Sequence, residues 1–335
     1  MMNRNPRVAV VGASGAVGVE MIRTLERRSF PLSQLSLLAS ARSAGKTLSY
    51  KGTQLVIEEL TQDSFSGIDI ALFSAGGNIS RDFAPLAVKA GTVVVDNSSA
   101  FRMDDQVPLV VPEVNASDVA LHRGIIANPN CTTAITLMAL YPLHRAFGVR
   151  RIFASSYQAV SGTGAMAIEE LKRQVGQIVN HEPVTKDVYP HQIAFNVLPH
   201  VDSFLDTGYT KEEMKLQSEG RKIMHHPSFL ASVTCVRVPV YRAHSVAVSA
   251  EFDRPITVEA AREVLNAAPG LDVIDTPSRN EYPMPLFSAE HDHCAVGRLR
   301  LDCALENGLC FWVSGDQLLK GAALNAVQIA EELLK

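Results

Sequence analysis

Val8-Ala-Val-Val11 runs without a break into Gly12-Ala-Ser-Gly-Ala-Val-Gly18, and this junction constrains the fold more than any other stretch. The short apolar run, free of alternation, predicts a strand buried on both faces. A helical pattern follows through Arg28. Strand, glycine turn and helix N-terminus together form a cradle for the phosphates of a dinucleotide, because the first amides of a helix point outward and favour negative charge. The spacing is GxxGxxG rather than the commoner GxGxxG, so the position between strand and helix carries the signal.

A second strand is predicted over 35–39. An NAD-specific protein usually has a carboxylate at its end; this chain has Ser40-Ala-Arg42-Ser43. A guanidinium and hydroxyls suit a 2′-phosphate, which favours NADP, whereas the plainer reading makes Arg42 a surface charge. Strand-like runs recur at 68–73, 92–95, 109–111 and 124–127, with a helix-like segment over 81–90. This alternation predicts an α/β domain with a mostly parallel, doubly wound sheet, whose ligands sit at the carboxyl ends of the strands. Three loops there carry useful groups: Ser74-Ala-Gly-Gly77, the segment from Asp96 to Arg102, and the turn holding Cys131. Arg102 is placed either to clamp a phosphate or carboxylate or simply to be solvated.

In Gly124-Ile-Ile-Ala-Asn-Pro-Asn-Cys-Thr-Thr-Ala-Ile135 an apolar strand end is broken by Asn128, Pro129 and Asn130, and a helix is predicted over 132–146. Cys131 then stands on the turn into a helix N-terminus. The helix dipole there should draw its thiol pKa below about 8.5. The same amides could hold an oxyanion formed when sulfur attacks a carbonyl. A buried structural cysteine is the bland alternative.

The pattern changes after about residue 150. A strand over 152–156 leads to the polar turn Gln158-Ala-Val-Ser-Gly-Thr-Gly164, then to a helix with Ile168, Leu171, Val175 and Ile178 on one face. A helix over 210–224 reads as capped by Thr210 with Glu213. Glu219 and Lys222 share a face of it, which a surface ion pair explains most simply. Strands over 233–240 and 245–252 are joined by a link containing His244. Arg237 lies inside the first of them, an expensive place for a permanent charge unless an anion meets it. Strands over 295–301 and 309–313 extend this α+β second domain, and the apolar segment 319–334 is predicted to pack back on the first.

At 335 residues, two domains are the default. A net charge of −4 gives no basic excess for nucleic acid, and no apolar run approaches the roughly 18 residues of a membrane span. Met1-Met-Asn-Arg-Asn-Pro-Arg7 does not read as a secretory signal. Five cysteines without a CxxC pair fit a reducing cytoplasm. His291-Asp-His293-Cys294 and His225-His226 lack the three or four convergent ligands of a zinc site, so no metal is expected.

Assembled, these motifs resemble the aspartate-β-semialdehyde dehydrogenase family nearly end to end. The resemblance is carried by Gly12 to Gly18, Ser40-Ala-Arg-Ser-Ala-Gly-Lys46, Phe73-Ser-Ala-Gly-Gly77, Asp96 to Arg102, Val110-Val-Pro-Glu-Val114 and Asn128-Pro-Asn-Cys-Thr132. It continues through Tyr157-Gln-Ala-Val-Ser-Gly162, Ile193-Ala-Phe-Asn196, Cys235-Val-Arg-Val-Pro-Val240, His244-Ser245, Lys320-Gly-Ala-Ala323 and Asn325-Ala-Val-Gln-Ile-Ala330. It implies a Rossmann-like NADP domain (1–131, completed by 318–335) and a catalytic and dimerisation domain (132–317) in a cytoplasmic homodimer. It further implies Cys131 as nucleophile, Asn130 beside it in the catalytic group, His244 as general base and acid, and Gln158 orienting the substrate. Arg237 would bind the substrate carboxylate, Glu219 its ammonium, and Arg102 and Lys222 the phosphate. Gly12, Ser14, Gly15, Ala16, Val17, Ser40, Arg42, Ser43, Ser74, Ser161, Gly162 and Gln317 would contact NADP. The implied reaction joins L-aspartate 4-semialdehyde, phosphate and NADP to L-4-aspartyl phosphate and NADPH, on the route to lysine, threonine, methionine and isoleucine. The rivals are N-acetyl-γ-glutamyl-phosphate reductase, which usually has glycine before its cysteine, and a non-catalytic relative of the same fold. Gly220 departs from a common threonine, and Gln317 and Leu319 from an asparagine and a basic residue.

Overall fold

The computed structural model describes residues 4–335, in two compact units. One runs to Asn130 and resumes at Ala322–Lys335; the other is Cys131–Gly321.

The first unit contains β1 (Arg7–Val11), α1 (Ala16–Arg27), β2 (Gln34–Ala39), β3 (Thr47–Tyr50), β4 (Thr53–Glu59), β5 (Ile70–Phe73), α2 (Gly77–Lys89), β6 (Val93–Asp96), the short α3 (Pro112–Asn115) and β7 (Ile125–Ala127). The strands form one seven-stranded sheet in the order β3-β4-β2-β1-β5-β6-β7, parallel except for the β3–β4 hairpin. The expected α/β doubly wound sheet is therefore present, and its order reverses at β1. Side-chain alternation explains why β1 is apolar throughout. Val8 and Val10 join a core with Met21, Ile22 and Leu25 of α1, while Ala9 and Val11 join another with Ala84 and Ala87 of α2. Val327, Ile329 and Ala330, near the end of the chain, complete the first of these cores.

Two expectations change here. The run 109–111 forms only an isolated bridge, Leu109 to Ala127, because Pro108 and Pro112 flank it and supply no N–H for a ladder. The β3–β4 hairpin was not foreseen. Lys51 (φ 47°) and Gly52 (φ 76°) form its turn, and both sit at positive φ.

The second unit contains α4 (Cys131–Phe147), β8 (Val149–Gln158), α5 (Ala165–Val179), α6 (Lys211–Ile223), β9 (Leu230–Arg237), β10 (His244–Phe252), α7 (Val258–Asn266), β11 (Leu271–Val273), α8 (Pro285–Ser288), β12 (Cys294–Leu301) and β13 (Gly308–Gly315). Its six-stranded sheet has the order β11-β12-β13-β10-β8-β9, parallel only at β8–β9 and β11–β12. Ile152, Ala154, Ser156 and Gln158 of β8 are buried, whereas Phe153 between them is 47% exposed. One face of this sheet is thus core and the other is open. His244 begins β10, paired with Gly315, rather than lying in a link. The last helix of the chain is α9 (Leu324–Glu332), reached through a wider turn at Leu319–Ala323.

Candidate active site

The glycines of the first unit are required by contact. At Gly12 (φ 85°) a Cβ would lie 2.7 Å from the Ser74 carbonyl oxygen, and at Gly18 2.2 Å from that of Gly12. The turn therefore closes on itself and brings the uncapped N-terminus of α1 against the ends of β1 and β5. A cavity of about 470 Å³ opens there, lined by Gly12, Ser14, Gly15, Ala39, Ser40, Ala41, Glu59, Leu60, Ser74, Ala75, Ile79 and Phe83. Glycines that only a bare backbone satisfies, beside a cavity with apolar and hydroxyl walls, fit a dinucleotide. Ala16 and Val17 open α1, Ser14 Oγ donates to Ser43 Oγ (3.0 Å), and Arg42 is exposed.

Arg102 is not a solvated arginine. It is 8% exposed, and its Nε and Nη2 donate to the carbonyls of Asn128 and Asn97, each at 2.9 Å. Asn128 is held in turn: its Nδ2 donates to Asn97 Oδ1 (2.6 Å), and its Oδ1 accepts from Asn325 Nδ2 (2.6 Å). This amide network sets the turn that ends at Asn130, which is itself buried.

In the second unit Cys131 is the first residue of α4 and half-buried. The backbone at Gly321 passes so close that a Cβ would stand 2.7 Å from that of Cys131. Cys235 differs: burial pushes its thiol up to about 12, which leaves it inert.

Gln158 and Arg237 are register partners at the ends of β8 and β9. Gln158 Nε2 donates to Ser156 Oγ (3.1 Å) and Glu212 Oε1 (3.2 Å), which leaves Oε1 as the end with an acceptor to offer. Glu212 is fixed by Lys215 (2.9 Å), which also binds Asp202 (3.0 Å). Arg237 is 6% exposed and donates through Nη1 to the Ala159 carbonyl (2.8 Å). Among the described residues no carboxylate pairs with it, so a buried cation stands ready for an anion. His244 is fully buried; its Nδ1 accepts from the Ala159 N–H (3.1 Å) and its Nε2 has no partner. Burial and the Arg237 charge hold its pKa well below the ordinary value.

Gly162 lies against both groups: a Cβ there would be 3.0 Å from Arg237 Nη1 and from His244 Nε2. Gln317 Oε1 accepts from the Ala243 N–H (2.7 Å), its Nε2 donates to Ser161 Oγ, and its Cβ lies 3.3 Å from where a Cβ on Gly321 would be. Glu219 is 2% exposed and Lys222 half-buried, so the carboxylate on this face of α6 is buried rather than on the surface. Gly220 is explained by packing, since a Cβ there would come 3.0 Å from the Phe229 ring. Leu319 is fully buried. Sequence reasoning missed Glu212, Gly321 and Ala159. Glu212 read as a helix-start acid, and the other two act through their backbone. Among the described residues no group of three or more His, Cys, Asp or Glu could hold a metal ion, and no helix is long and apolar enough to cross a membrane.

Residues 7–122 match the NAD binding domain of the semialdehyde dehydrogenases and 140–320 their dimerisation domain. The chain is 53% identical over 333 residues to the aspartate-semialdehyde dehydrogenase of Aquifex aeolicus, covering 98% of each. It is similar to the crystal structure of aspartate semialdehyde dehydrogenase II complexed with ASA from Vibrio cholerae (TM-score 0.96, 44% identity, 99% of each chain). A more distant likeness is to the enzyme with NADP from Candida albicans (TM-score 0.74, 25% identity, 98% of each chain). Taken with the cysteine at the head of α4 and the buried Gln158, Arg237 and His244, these matches are those of a family member: the chain belongs to the aspartate-semialdehyde dehydrogenase family.

Proposed function

We propose that the chain is an NADP-dependent phosphorylating dehydrogenase that interconverts L-aspartate 4-semialdehyde, phosphate and NADP with L-4-aspartyl phosphate and NADPH, acting as a cytoplasmic homodimer in amino-acid biosynthesis. The observation that carries it is the buried Arg237, without a carboxylate partner among the described residues, in the same unit as Cys131 at a helix N-terminus. A permanent charge so placed suits the carboxylate of a small substrate.

Cys131 attacks the aldehyde carbon and ends the oxidative half as a thioester, which phosphate then cleaves. Arg237 holds the substrate carboxylate and Glu219 its ammonium; Gln158 presents its carbonyl oxygen to the bound substrate, in a setting that Glu212 supports. His244 serves as general base and acid, and Asn130 precedes the nucleophile in the catalytic group. Arg102 and Lys222 receive phosphate, a separate anion that needs its own cations. Gly12, Ser14, Gly15, Ala16, Val17, Ser40, Ser43 and Ser74 would hold the dinucleotide, Arg42 its 2′-phosphate, and Ser161, Gly162 and Gln317 its remaining contacts. When bound, that group accepts the hydride.

The test is phosphate-dependent reduction of NADP by aspartate semialdehyde. Wild type should turn over, with activity lost in Cys131→Ser. Silence in both would contradict the assignment and favour a non-catalytic relative.

A further inference from the structure

The direction of the Gln158 side-chain amide is set by what its nitrogen meets. Gln158 ends β8 and is buried. Its Nε2 donates to Ser156 Oγ (3.1 Å) and to Glu212 Oε1 (3.2 Å), which engages both N–H groups inside the protein. The serine does not choose between the two ends of the amide, because a hydroxyl donates as readily as it accepts. An ionised carboxylate does choose, since it only accepts. Turning the amide over would set Gln158 Oε1 against Glu212 Oε1, two acceptors facing each other in a buried site. The oxygen is therefore the end turned away from Glu212, on a residue whose register partner is the buried Arg237.

Helix formation does not explain why Glu212 is buried. The cap of α6 is made by its neighbour: Glu213 Oε2 accepts from the Thr210 N–H (2.7 Å), and Glu213 Oε1 accepts from the Cys235 N–H of β9 (3.0 Å). Glu212 is held differently. Its Oε2 accepts from Lys215 Nζ (2.9 Å), one turn along the helix, and Lys215 also reaches Asp202 Oδ2 (3.0 Å). Asp202 is fixed in turn by the Ser203 N–H at its Oδ1 (2.7 Å). A carboxylate taken out of water and balanced by a lysine is weak evidence for stability, since apolar groups of similar volume often serve as well. Its place against the Gln158 nitrogen calls for another role.

We propose that Glu212 is a positioning residue of the reaction, which locks the Gln158 amide with its oxygen, rather than its N–H groups, toward the bound substrate. This rests on the dehydrogenase reading, in which Gln158 orients the substrate. Glu212 makes no bond to substrate and passes no proton. It removes one of the two orientations open to the amide, so that every molecule of the protein meets substrate with the same group forward. Without the carboxylate the two orientations interconvert, and only the fraction with oxygen forward binds productively. Lys215 and Asp202 keep the carboxylate where it can do this.

Glu212→Gln tests the proposal, because it preserves size while a second amide can either donate or accept. We expect kcat/KM for aspartate semialdehyde in the phosphate-dependent assay to fall by roughly ten-fold. In a Gln158→Ala background the same substitution should change kcat/KM by less than about two-fold, since alanine has no orientation to lock. A glutamate that only supports the fold would cost the same factor in both backgrounds, and that result would overturn the proposal. Unchanged kcat/KM in Glu212→Gln, or a loss greater than that of Gln158→Ala, would overturn it as well. A readout without turnover is 15N NMR of the Gln158 side-chain amide, assigned by its loss in Gln158→Ala. Its two hydrogens should exchange slowly with solvent in the wild type and lose that protection in Glu212→Gln; equal protection in both would contradict the lock. A wild type that never turns over aspartate semialdehyde overturns the reading beneath the proposal, and the amide spectrum still decides separately which way Gln158 is held.

Discussion

Gly162 has no side chain, and the space one would need is occupied. A Cβ would stand 3.0 Å from both Arg237 Nη1 and His244 Nε2, tighter than ordinary van der Waals contact. Gly162→Ala should therefore displace the two groups without unfolding the sheet that carries them. Steady-state kinetics should show kcat down by roughly 100-fold, as for a misplacement of about 1 Å, with the melting temperature nearly unchanged. Unaltered kinetics would mean that neither group is held in place by that backbone. Gly220 sits at a comparable distance from Phe229, which accounts for a residue that weakens helix α6 by about 1 kcal/mol relative to alanine.

At the scale of elements, α5 does more than cover a core. From Asn180 to Tyr209 the chain forms no helix or strand beyond isolated bridges, and two side chains of α5 hold part of it. The buried Glu170 carboxylate accepts from the amides of Asp187 (2.7 Å), Val188 and Tyr189 (3.3 Å), and Gln174 Oε1 accepts from Ile193 (2.9 Å) and Ala194 (3.0 Å). Tyr189 then reaches Thr163 Oγ1 (2.9 Å), at the end of the turn that carries Ser161 and Gly162. Glu170→Ala strips the acceptor from several amides at once. Denaturant unfolding should show a loss of about 2–4 kcal/mol, with new protease nicks within this segment. None of this was legible beforehand, because Glu170 sits in a run of charged residues and its partners are backbone groups. The β3–β4 hairpin was hidden for a related reason: in Thr53 to Glu59 only Leu55 and Ile57 face the core, too short an alternation to stand out. By contrast, β1, α1 and the Thr210–Glu213 capping box of α6 were legible, since each is encoded locally by apolar pattern or cap chemistry. Cys131 at a helix start was readable for the same reason. The partners that fix Gln158 and His244 come from distant segments and were not.

At the scale of the whole molecule, the second unit leaves one sheet face open, with Phe153 and Leu230 47% and 49% exposed. Apolar side chains on an uncovered face call for a partner, and a second copy is the one proposed above. Light scattering should give twice the 36.3 kDa chain mass, and Phe153→Arg should shift it toward the single-chain value. A persistent dimer in the variant would place the contact elsewhere.

The most direct measurement is mass spectrometry of the protein incubated with aspartate semialdehyde and NADP while phosphate is withheld. An aspartyl thioester on the peptide containing Cys131, discharged when phosphate is added, is the predicted result. Turnover with no covalent adduct on Cys131, or an adduct on another residue, would contradict it.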